Sequence, residues 1–219
     1  KWQGIRGSFK RLVLKCNLAL CDGVIAGNQK SNNLYRRFTK KPIRTIPLNG
    51  VDPHFFHRLF PAPNRVVGGI DVADNLVFTF AGAIGKHKGL PVLVRAFSRV
   101  IQKMPGIRLV IAGNGDYEKE LDRDIEHFGI RPYLIRLAWL SHHELKELLN
   151  ASDAFVYPSV SYHGWEEQFG YAIAEASLME LPVISTRSGS IEDVVIDGTT
   201  GLLIEQNNET ALTEAMLKI

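Results

Sequence analysis

The chain has 219 residues, of which 45% are hydrophobic, 22% charged and 9% aromatic, a composition typical of a globular protein with a sizeable apolar core. No apolar run approaches the roughly 18 to 20 residues of a membrane helix, and no short apolar stretch with a cleavage signal opens the sequence, so we expect neither a transmembrane nor a secreted protein. The net charge of +3 divides into +10 over residues 1–44 and −7 over residues 45–219.

The basic first part of the chain predicts only a few elements. Phe9–Leu20 is a basic amphipathic helix, Gly23–Ala26 a short strand, and a second helix lies near Ser31–Phe38. Together with Ile43–Pro47, these elements are too few for a domain of their own. We therefore expect residues 1–52 to be the last elements of a preceding domain, and the chain to be a fragment of a longer protein.

A change of pattern follows. Residues 53–74 contain three prolines and the pair Gly68-Gly69, which predicts a linker between domains. From residue 76 onward, short β-branched runs alternate with helical patterns, as in an α/β fold with a Rossmann-like, doubly wound parallel sheet over residues 75–219. The predicted strands are Leu76–Ala81, Arg108–Ala112, Leu134–Trp139, Ala154–Tyr157, Pro182–Ser185 and Leu202–Ile204; the predicted helices are Leu90–Lys103, Asp116–Phe128, Ser141–Asn150, Tyr171–Met179, Ser190–Ile196 and Glu209–Leu217.

Three loops follow strands of this sheet. Ligands of a doubly wound sheet bind beyond the carboxyl ends of the strands, where helix N-termini present free N–H groups to an anion. The loops are Gly82–Gly89, in which Lys88 adds positive charge, Gly113–Gly115, and Ser188–Ser190 ahead of a helix. Each loop taken alone could be an ordinary strand-to-helix turn. Their shared position on one rim favours a phosphate site.

Two glutamates give a more specific signal. Glu167 and Glu175 are separated by seven residues and flank Phe169-Gly170. Because eight positions along a helix return to about the same face, a helix that begins near Phe169 would place Glu167 just before its start and Glu175 about two turns in, so that both could line one cleft. Carboxylates accept hydrogen bonds from sugar hydroxyls. A solvated helix face is the alternative for either glutamate.

In this order the motifs resemble the donor-binding domain of retaining glycosyltransferase family 4, which has the GT-B fold. The resemblance extends from Phe80 to Ile204, and Ile46–Asp52 resembles the segment with which this family leaves its N-terminal domain. The matching pieces are Gly82–Gly89, Ile111–Gly115, Tyr157–Ser159, Glu167–Glu175, Pro182–Thr186, Gly189-Ser190 and Asp197–Leu203.

The resemblance implies that a hexose passes from a UDP- or GDP-sugar to a saccharide or lipid-linked acceptor in polysaccharide biosynthesis, with no cofactor and no metal. It implies two catalytic residues, Lys88 on the donor diphosphate and Glu167 on the transferred sugar. Glu175 would hold the ribose. The full implied donor-binding set is Gly82, Ala83, Lys88, Gly113, Ala138, Trp139, Glu167, Phe169, Gly170, Glu175, Gly189 and Ser190, with the turn at 189–190 on the phosphates and the rim at 138–139 on the base.

Two positions depart from the pattern of the resembled family. Ala83 stands where the family usually has an Arg that shares the diphosphate charge, and Ser190 replaces a paired glycine. Lys86 or His87 could supply the missing charge. We expect this chain to bind a nucleotide-sugar but to transfer poorly, because the acceptor site would belong to the N-terminal domain.

The basic first part of the chain leaves several interpretations open. Lys10, Arg11, Lys15 and the cluster 36–41 could attract anionic lipid head groups, could bind nucleic acid, which the sequence favours less, or could form a solvated face. Cys16 and Cys21 are too few for a disulfide scaffold, which indicates free thiols in the cytoplasm. A peripheral place at the inner membrane face is compatible with this.

Two rival functions also stay open. One is a nucleotide-sugar epimerase or a phosphorylase on the same two-domain fold. The other is a module that binds nucleotide-sugar or RNA without catalysis. The alanine at position 83 and the basic terminus are the features that point to it.

Overall fold

The computed structural model describes residues 5–47, 50–59 and 65–219. Two compact units divide the chain, Lys1–Gly50 and Val51–Ile219. None of the helices in the described ranges combines the length and apolarity that a membrane span requires. The sequence also predicts a turn at Asn49-Gly50, and the first of these two residues lies outside the described ranges.

The first unit has two helices and two short strands. In chain order these are α1 (Ile5–Leu20), β1 (Val24–Ala26), α2 (Gln29–Tyr35) and β2 (Ile43–Thr45), and the two strands pair in parallel. The second helix begins before the predicted Ser31, because the Asn28 side chain caps it by accepting a hydrogen bond from the Ser31 N–H at 2.7 Å. The Lys41 ammonium donates to the carbonyls of Ala19 and Cys21 at the end of α1.

The second unit is built on a six-stranded parallel sheet. A small antiparallel hairpin of β3 (Val66–Val67) and β4 (Ile70–Asp71) precedes it. The strands are β5 (Leu76–Ala81), β6 (Ile107–Ala112), β7 (Leu134–Leu137), β8 (Ala154–Tyr157), β9 (Val183–Thr186) and β10 (Gly201–Ile204), in the order β10-β9-β8-β5-β6-β7. The two central strands β5 and β8 are buried over almost their whole length, as expected for strands with helices on both faces.

The helices follow the predicted alternation. They are α3 (Leu90–Val100), α4 (Glu118–His127), α5 (His142–Ala151), α6 (Tyr171–Leu178) and α7 (Glu209–Met216), with short 3₁₀ helices at Lys86–Lys88, Arg131–Tyr133 and Ile191–Asp193. The spacing of Ser141 and Glu144 in the sequence predicts a capping box, which the structure confirms at the start of α5. The apolar face of α3 is fully buried, with Leu90, Leu93 and Phe97 in the core. The α/β fold with a doubly wound parallel sheet is thereby confirmed.

Three local predictions need correction. The predicted helix Ser190–Ile196 is only the 3₁₀ helix Ile191–Asp193, since the β-branched residues that follow it disfavour a helix and the Ile196 N–H donates instead to the Thr200 hydroxyl at 2.9 Å. The predicted strand Leu134–Trp139 ends at Leu137, which pairs with Ala112 at the end of β6. Residues 138 and 139 therefore lie beyond the sheet.

The predicted linker, residues 53–74, also contains more structure than its prolines and glycines indicate. It includes the β3–β4 hairpin, and Phe56, Val67 and Val72 are buried in the core of the second unit. The division of the chain into an acceptor-side remnant, a linker and a donor-binding domain stays a prediction.

Candidate functional site

The carboxyl ends of β5 and β6 bring two glycine loops side by side. A Cβ on Gly113 would lie 1.9 Å from the Gly82 carbonyl oxygen, so that only glycine fits at this contact. A Cβ on Gly82 would lie 3.4 Å from the Tyr157 ring at the end of the neighbouring strand β8. Ala83, next in the first loop, is exposed. The structure thus joins two of the predicted donor-binding glycines at one rim.

The two residues predicted to be catalytic form a buried ion pair. The Lys88 ammonium lies 2.7 Å from the Glu167 Oε2 atom, and the two side chains are only 10% and 11% exposed. The Tyr157 hydroxyl donates to the same carboxylate oxygen at 3.3 Å. The ammonium also lies 4.6 Å from the centre of the Trp165 ring and 5.0 Å from that of Tyr157, within the range of cation–π attraction.

The loop that carries Lys88 is fixed to the end of β8. The His87 carbonyl accepts hydrogen bonds from the Val160 N–H at 2.8 Å and the Ser159 hydroxyl at 3.2 Å. Gly89, at a φ of +73°, packs so tightly that a Cβ there would lie 1.8 Å from the Pro158 carbonyl oxygen. These contacts fix the backbone on both sides of Lys88 without using the donors of its ammonium.

The backbone of Glu167 is held by the third predicted loop. Gly189 has a φ of +61°, and a Cβ on it would lie 2.0 Å from the Glu167 carbonyl oxygen. The Ser190 N–H donates to that oxygen at 2.9 Å. The neighbouring Ser188 hydroxyl is buried and has no hydrogen-bond partner in the described part of the chain. This turn therefore lies against the predicted sugar-binding glutamate.

Glu175 is placed differently from the prediction. Helix α6 begins at Tyr171 after Gly170, whose φ of +84° suits the residue before a helix. This start agrees with the predicted helix Tyr171–Met179 and not with a start near Phe169, so Glu175 lies about one turn into α6 and not two turns in. No hydrogen bond joins its carboxylate to the Lys88–Glu167 pair or to any other described residue, although the residue is only 8% exposed.

The charge of Glu175 is perturbed by this position. Burial raises the pKa of its carboxyl above the ordinary value, and the nearby His142 opposes that shift. His142 is the first residue of α5, and its ring contacts Phe56, while the His143 ring contacts Phe55. Among the residues described, no group of three or more His, Cys, Asp or Glu side chains could hold a metal ion.

The remaining predicted residues lie apart from the ion pair. Trp139 is 66% exposed and follows the end of β7 with Ala138, which is also exposed. Phe169 is half-buried, and its ring contacts Tyr171 at 4.9 Å. Within the described ranges, no side-chain hydrogen bond, ion pair or ring contact joins these three residues to Lys88 or Glu167.

Three residues around the ion pair were absent from the predicted set. They are Tyr157, Trp165 and His87, whose ring packs edge-on against Trp165 at 4.2 Å. Burial, and next the charge of Lys88, lower the pKa of His87. Tyr157 ends a predicted strand, and Trp165 precedes Glu167 by two positions. Their positions in the sequence could therefore have indicated that both lie near the site, although their residue types alone did not.

Comparison with known proteins identifies the family. Residues 68–219 match the family model described as Glycosyl transferases group 1. The chain belongs to this family. Among curated members it is 35% identical over 199 residues to the D-inositol 3-phosphate glycosyltransferase of Stackebrandtia nassauensis. The match covers 85% of this chain and 42% of that protein.

A second curated glycosyltransferase group 1 relative is a mannosyltransferase. The chain is 27% identical to the GDP-mannose-dependent alpha-(1-6)-phosphatidylinositol monomannoside mannosyltransferase of Mycolicibacterium smegmatis, over 76% of this chain and 44% of that protein. The chain thus spans less than half of the length of either curated relative.

Solved structures of glycosyltransferases share the fold. Sucrose-phosphate synthase from Thermosynechococcus elongatus matches 97% of this chain and 52% of its own, with a TM-score of 0.78 and 25% identity. The Anabaena protein HepE in complex with UDP matches 95% of this chain and 56% of its own, with a TM-score of 0.83 and 22% identity. The six-stranded parallel sheet is the C-terminal, Rossmann-like half of a GT-B fold.

Substitution of Gly189 should destabilise the fold more than the same change at a matched glycine. Gly198 has a similar φ of +74° but nothing within 4 Å of the Cβ position, so Gly198→Ala should cost only the left-handed strain of about 1 kcal/mol. Gly189→Ala adds an overlap with the Glu167 backbone, and we expect about 2 kcal/mol more. The free energy of unfolding from urea titration measures both. Equal losses would contradict the close contact.

The buried Glu175 carboxyl should lower stability at neutral pH. A carboxyl whose pKa is raised in the fold stabilises below its ordinary value of 4.5, and this contribution is lost as the pH rises through the raised pKa. Glu175→Gln should therefore have a larger free energy of unfolding than wild type at pH 7, and this gain should disappear at pH 4. Glu180→Gln, at an exposed position just after the same helix, should show no such gain. A destabilised Glu175→Gln at pH 7 would refute the assignment.

Proposed function

We propose that the chain is the donor-binding part of a retaining glycosyltransferase of family 4. The enzyme would move a hexose from a nucleotide-diphosphate sugar to a saccharide or lipid-linked acceptor in polysaccharide biosynthesis. The observation that carries the proposal is the buried Lys88–Glu167 pair at the carboxyl edge of the sheet. An ammonium suits the diphosphate of a donor, and an adjacent carboxylate suits the hydroxyls of its sugar.

In this mechanism the chain acts by placing charge. As the bond between sugar and diphosphate breaks, negative charge grows on the leaving diphosphate, and a fixed Lys88 would stabilise it. Glu167 would orient the sugar through its hydroxyls, with the Tyr157 hydroxyl and the Gly189-Ser190 turn holding the carboxylate and its backbone in position. In this proposal the acceptor attacks the sugar on the face from which the diphosphate leaves, so that the configuration is retained. No side chain of the protein serves as a nucleophile.

The other predicted residues would hold the nucleotide. Glu175 is buried without a hydrogen-bond partner among the described residues, which supports its predicted role as acceptor for the ribose hydroxyls. Exposed Trp139 and Ala138 lie on the rim where the base would bind. Both bases stay open, since HepE is solved with UDP and the mycobacterial relative is named for GDP-mannose.

The acceptor side would lie in the other half of the enzyme. Residues 1–52 would be the end of that half, and most of it would lie outside this chain. The chain spans less than half of its curated relatives, which supports the expectation that it binds a donor but turns over slowly alone. Product analysis with the longer protein would separate a transferase from an epimerase or a phosphorylase.

Donor binding tests the proposal directly. We expect one of UDP-glucose, GDP-mannose and ADP-glucose to raise the melting temperature of the chain, because a ligand of the native state stabilises it. Lys88→Met should weaken that binding about tenfold or more, the effect of losing a charge-assisted hydrogen bond. Lys103→Met removes an exposed lysine beyond the other end of α3 and serves as the control.

Two outcomes would contradict the proposed function. One is that none of the three nucleotide-sugars binds at millimolar concentration. The other is binding that the Lys88 and Glu175 substitutions leave unchanged, which would indicate a module that uses a different surface, such as the basic first unit for RNA.

We also propose that α1 contacts an anionic membrane surface from the cytoplasmic side. Phe9 and Leu12 of this helix are 66% and 59% exposed, and Lys10 and Lys15 lie on the same helix, the combination by which interfacial helices bind lipid head groups.

Vesicle sedimentation measures this binding. The chain should pellet with vesicles of mixed anionic and neutral lipid and remain in the supernatant with neutral ones. Lys10→Glu with Lys15→Glu should abolish the difference. Equal recovery of wild type in both pellets would remove the membrane proposal without affecting donor binding.

A further inference from the structure

The Lys88 ammonium is already engaged by a carboxylate. Its nearest partner is the Glu167 Oε2 atom at 2.7 Å, and its other close neighbours are the faces of Trp165 and Tyr157. The carboxylate accepts from Lys88 and from the Tyr157 hydroxyl through this one oxygen. Both side chains are about nine-tenths buried. An anion that binds the ammonium therefore competes with Glu167 for its positive charge.

We propose that Glu167 determines specificity for the complete donor over the bare nucleoside diphosphate. This inference rests on the proposed function and adds to it. A diphosphate on Lys88 draws the ammonium away from Glu167 and brings negative charge close to the buried carboxylate. A buried carboxylate that loses its cation keeps the penalty of its removal from water. The bare nucleoside diphosphate has no sugar hydroxyls at this point that could donate hydrogen bonds to the carboxylate.

The complete donor differs at this point. Its sugar hydroxyls are hydrogen-bond donors, and they can satisfy the carboxylate that the diphosphate has displaced from Lys88. The same ion pair therefore weakens binding of the nucleoside diphosphate while it permits binding of the nucleotide-sugar. Since the nucleoside diphosphate is the product of transfer, the pair also favours its release. Selection by a penalty on the wrong ligand is a general route to specificity.

Glu167 cannot avoid this competition by a movement of its backbone. The Ser190 N–H holds its carbonyl at 2.9 Å, and Gly189 is packed directly against its peptide group. With its backbone held, the Glu167 carboxylate can change position only by rotation of the side chain. The carboxylate can therefore move only a short distance from a bound diphosphate, and the repulsion between the two negative groups persists in this buried site.

Calorimetric titration of the chain with a product and its donor tests the inference. The probes are UDP with UDP-glucose, GDP with GDP-mannose and ADP with ADP-glucose, and the pair that wild type binds is used. Glu167→Gln should bind the nucleoside diphosphate about tenfold tighter than wild type, the gain expected when a charged hydrogen bond no longer competes. The same variant should bind the nucleotide-sugar more weakly, because an amide satisfies the hydroxyls less well than a carboxylate.

The opposite direction of the two changes separates this role from a structural one, which would weaken both ligands. Glu180→Gln removes the same charge at an exposed position and should change neither affinity. If Glu167→Gln does not fold by circular dichroism, Glu167→Asp shortens the side chain, loosens the ion pair and should shift the affinities in the same directions.

Each result decides between the proposals. Nucleoside diphosphate binding that is unchanged or weaker in the folded Glu167 variant would overturn the inference and leave the proposed function intact. Failure of wild type to bind any of the six probes would overturn both.

Discussion

The ion pair between Lys88 and Glu167 is the interaction on which the arrangement of the site depends. Burial of a cation and an anion is favourable only when each is held in good geometry by further contacts. The chain supplies these contacts from two places. The end of β8 fixes the peptide before Lys88 and provides the Tyr157 hydroxyl that shares the carboxylate, and the Gly189 turn fixes the peptide of Glu167. The pair consequently connects loops that follow β5, β8 and β9.

Much of the fold could be predicted from local patterns. The continuous apolar runs of β5 and β6 identified buried parallel strands, and Ser141 with Glu144 identified the start of α5. The predicted helix at Ser190 failed because a glycine turn and two acidic residues imitate a helix start, while the Thr200 hydroxyl and a β-branched run end it after three residues. The start of α6 at Tyr171 was predicted correctly, but the placement of Glu175 had been worked out from a start near Phe169 and was therefore about one turn too deep.

The site was less accessible to such reasoning. Lys88 and Glu167 are 79 residues apart, and no spacing rule predicts that they touch. Resemblance to a family named both, but it did not indicate that they pair with each other. Tyr157 and Trp165 were missed for a related reason, since their role arises from the packing of β8 against the neighbouring loop and not from a property of their own segment.

The end of β8 supports both members of the ion pair. It anchors the His87 carbonyl through Ser159 and Val160, and the chain reaches Glu167 ten residues after Tyr157. A substitution that displaces this strand end would therefore disturb the positions of the cation and of the carboxylate at once, even though neither of the two residues belongs to the strand.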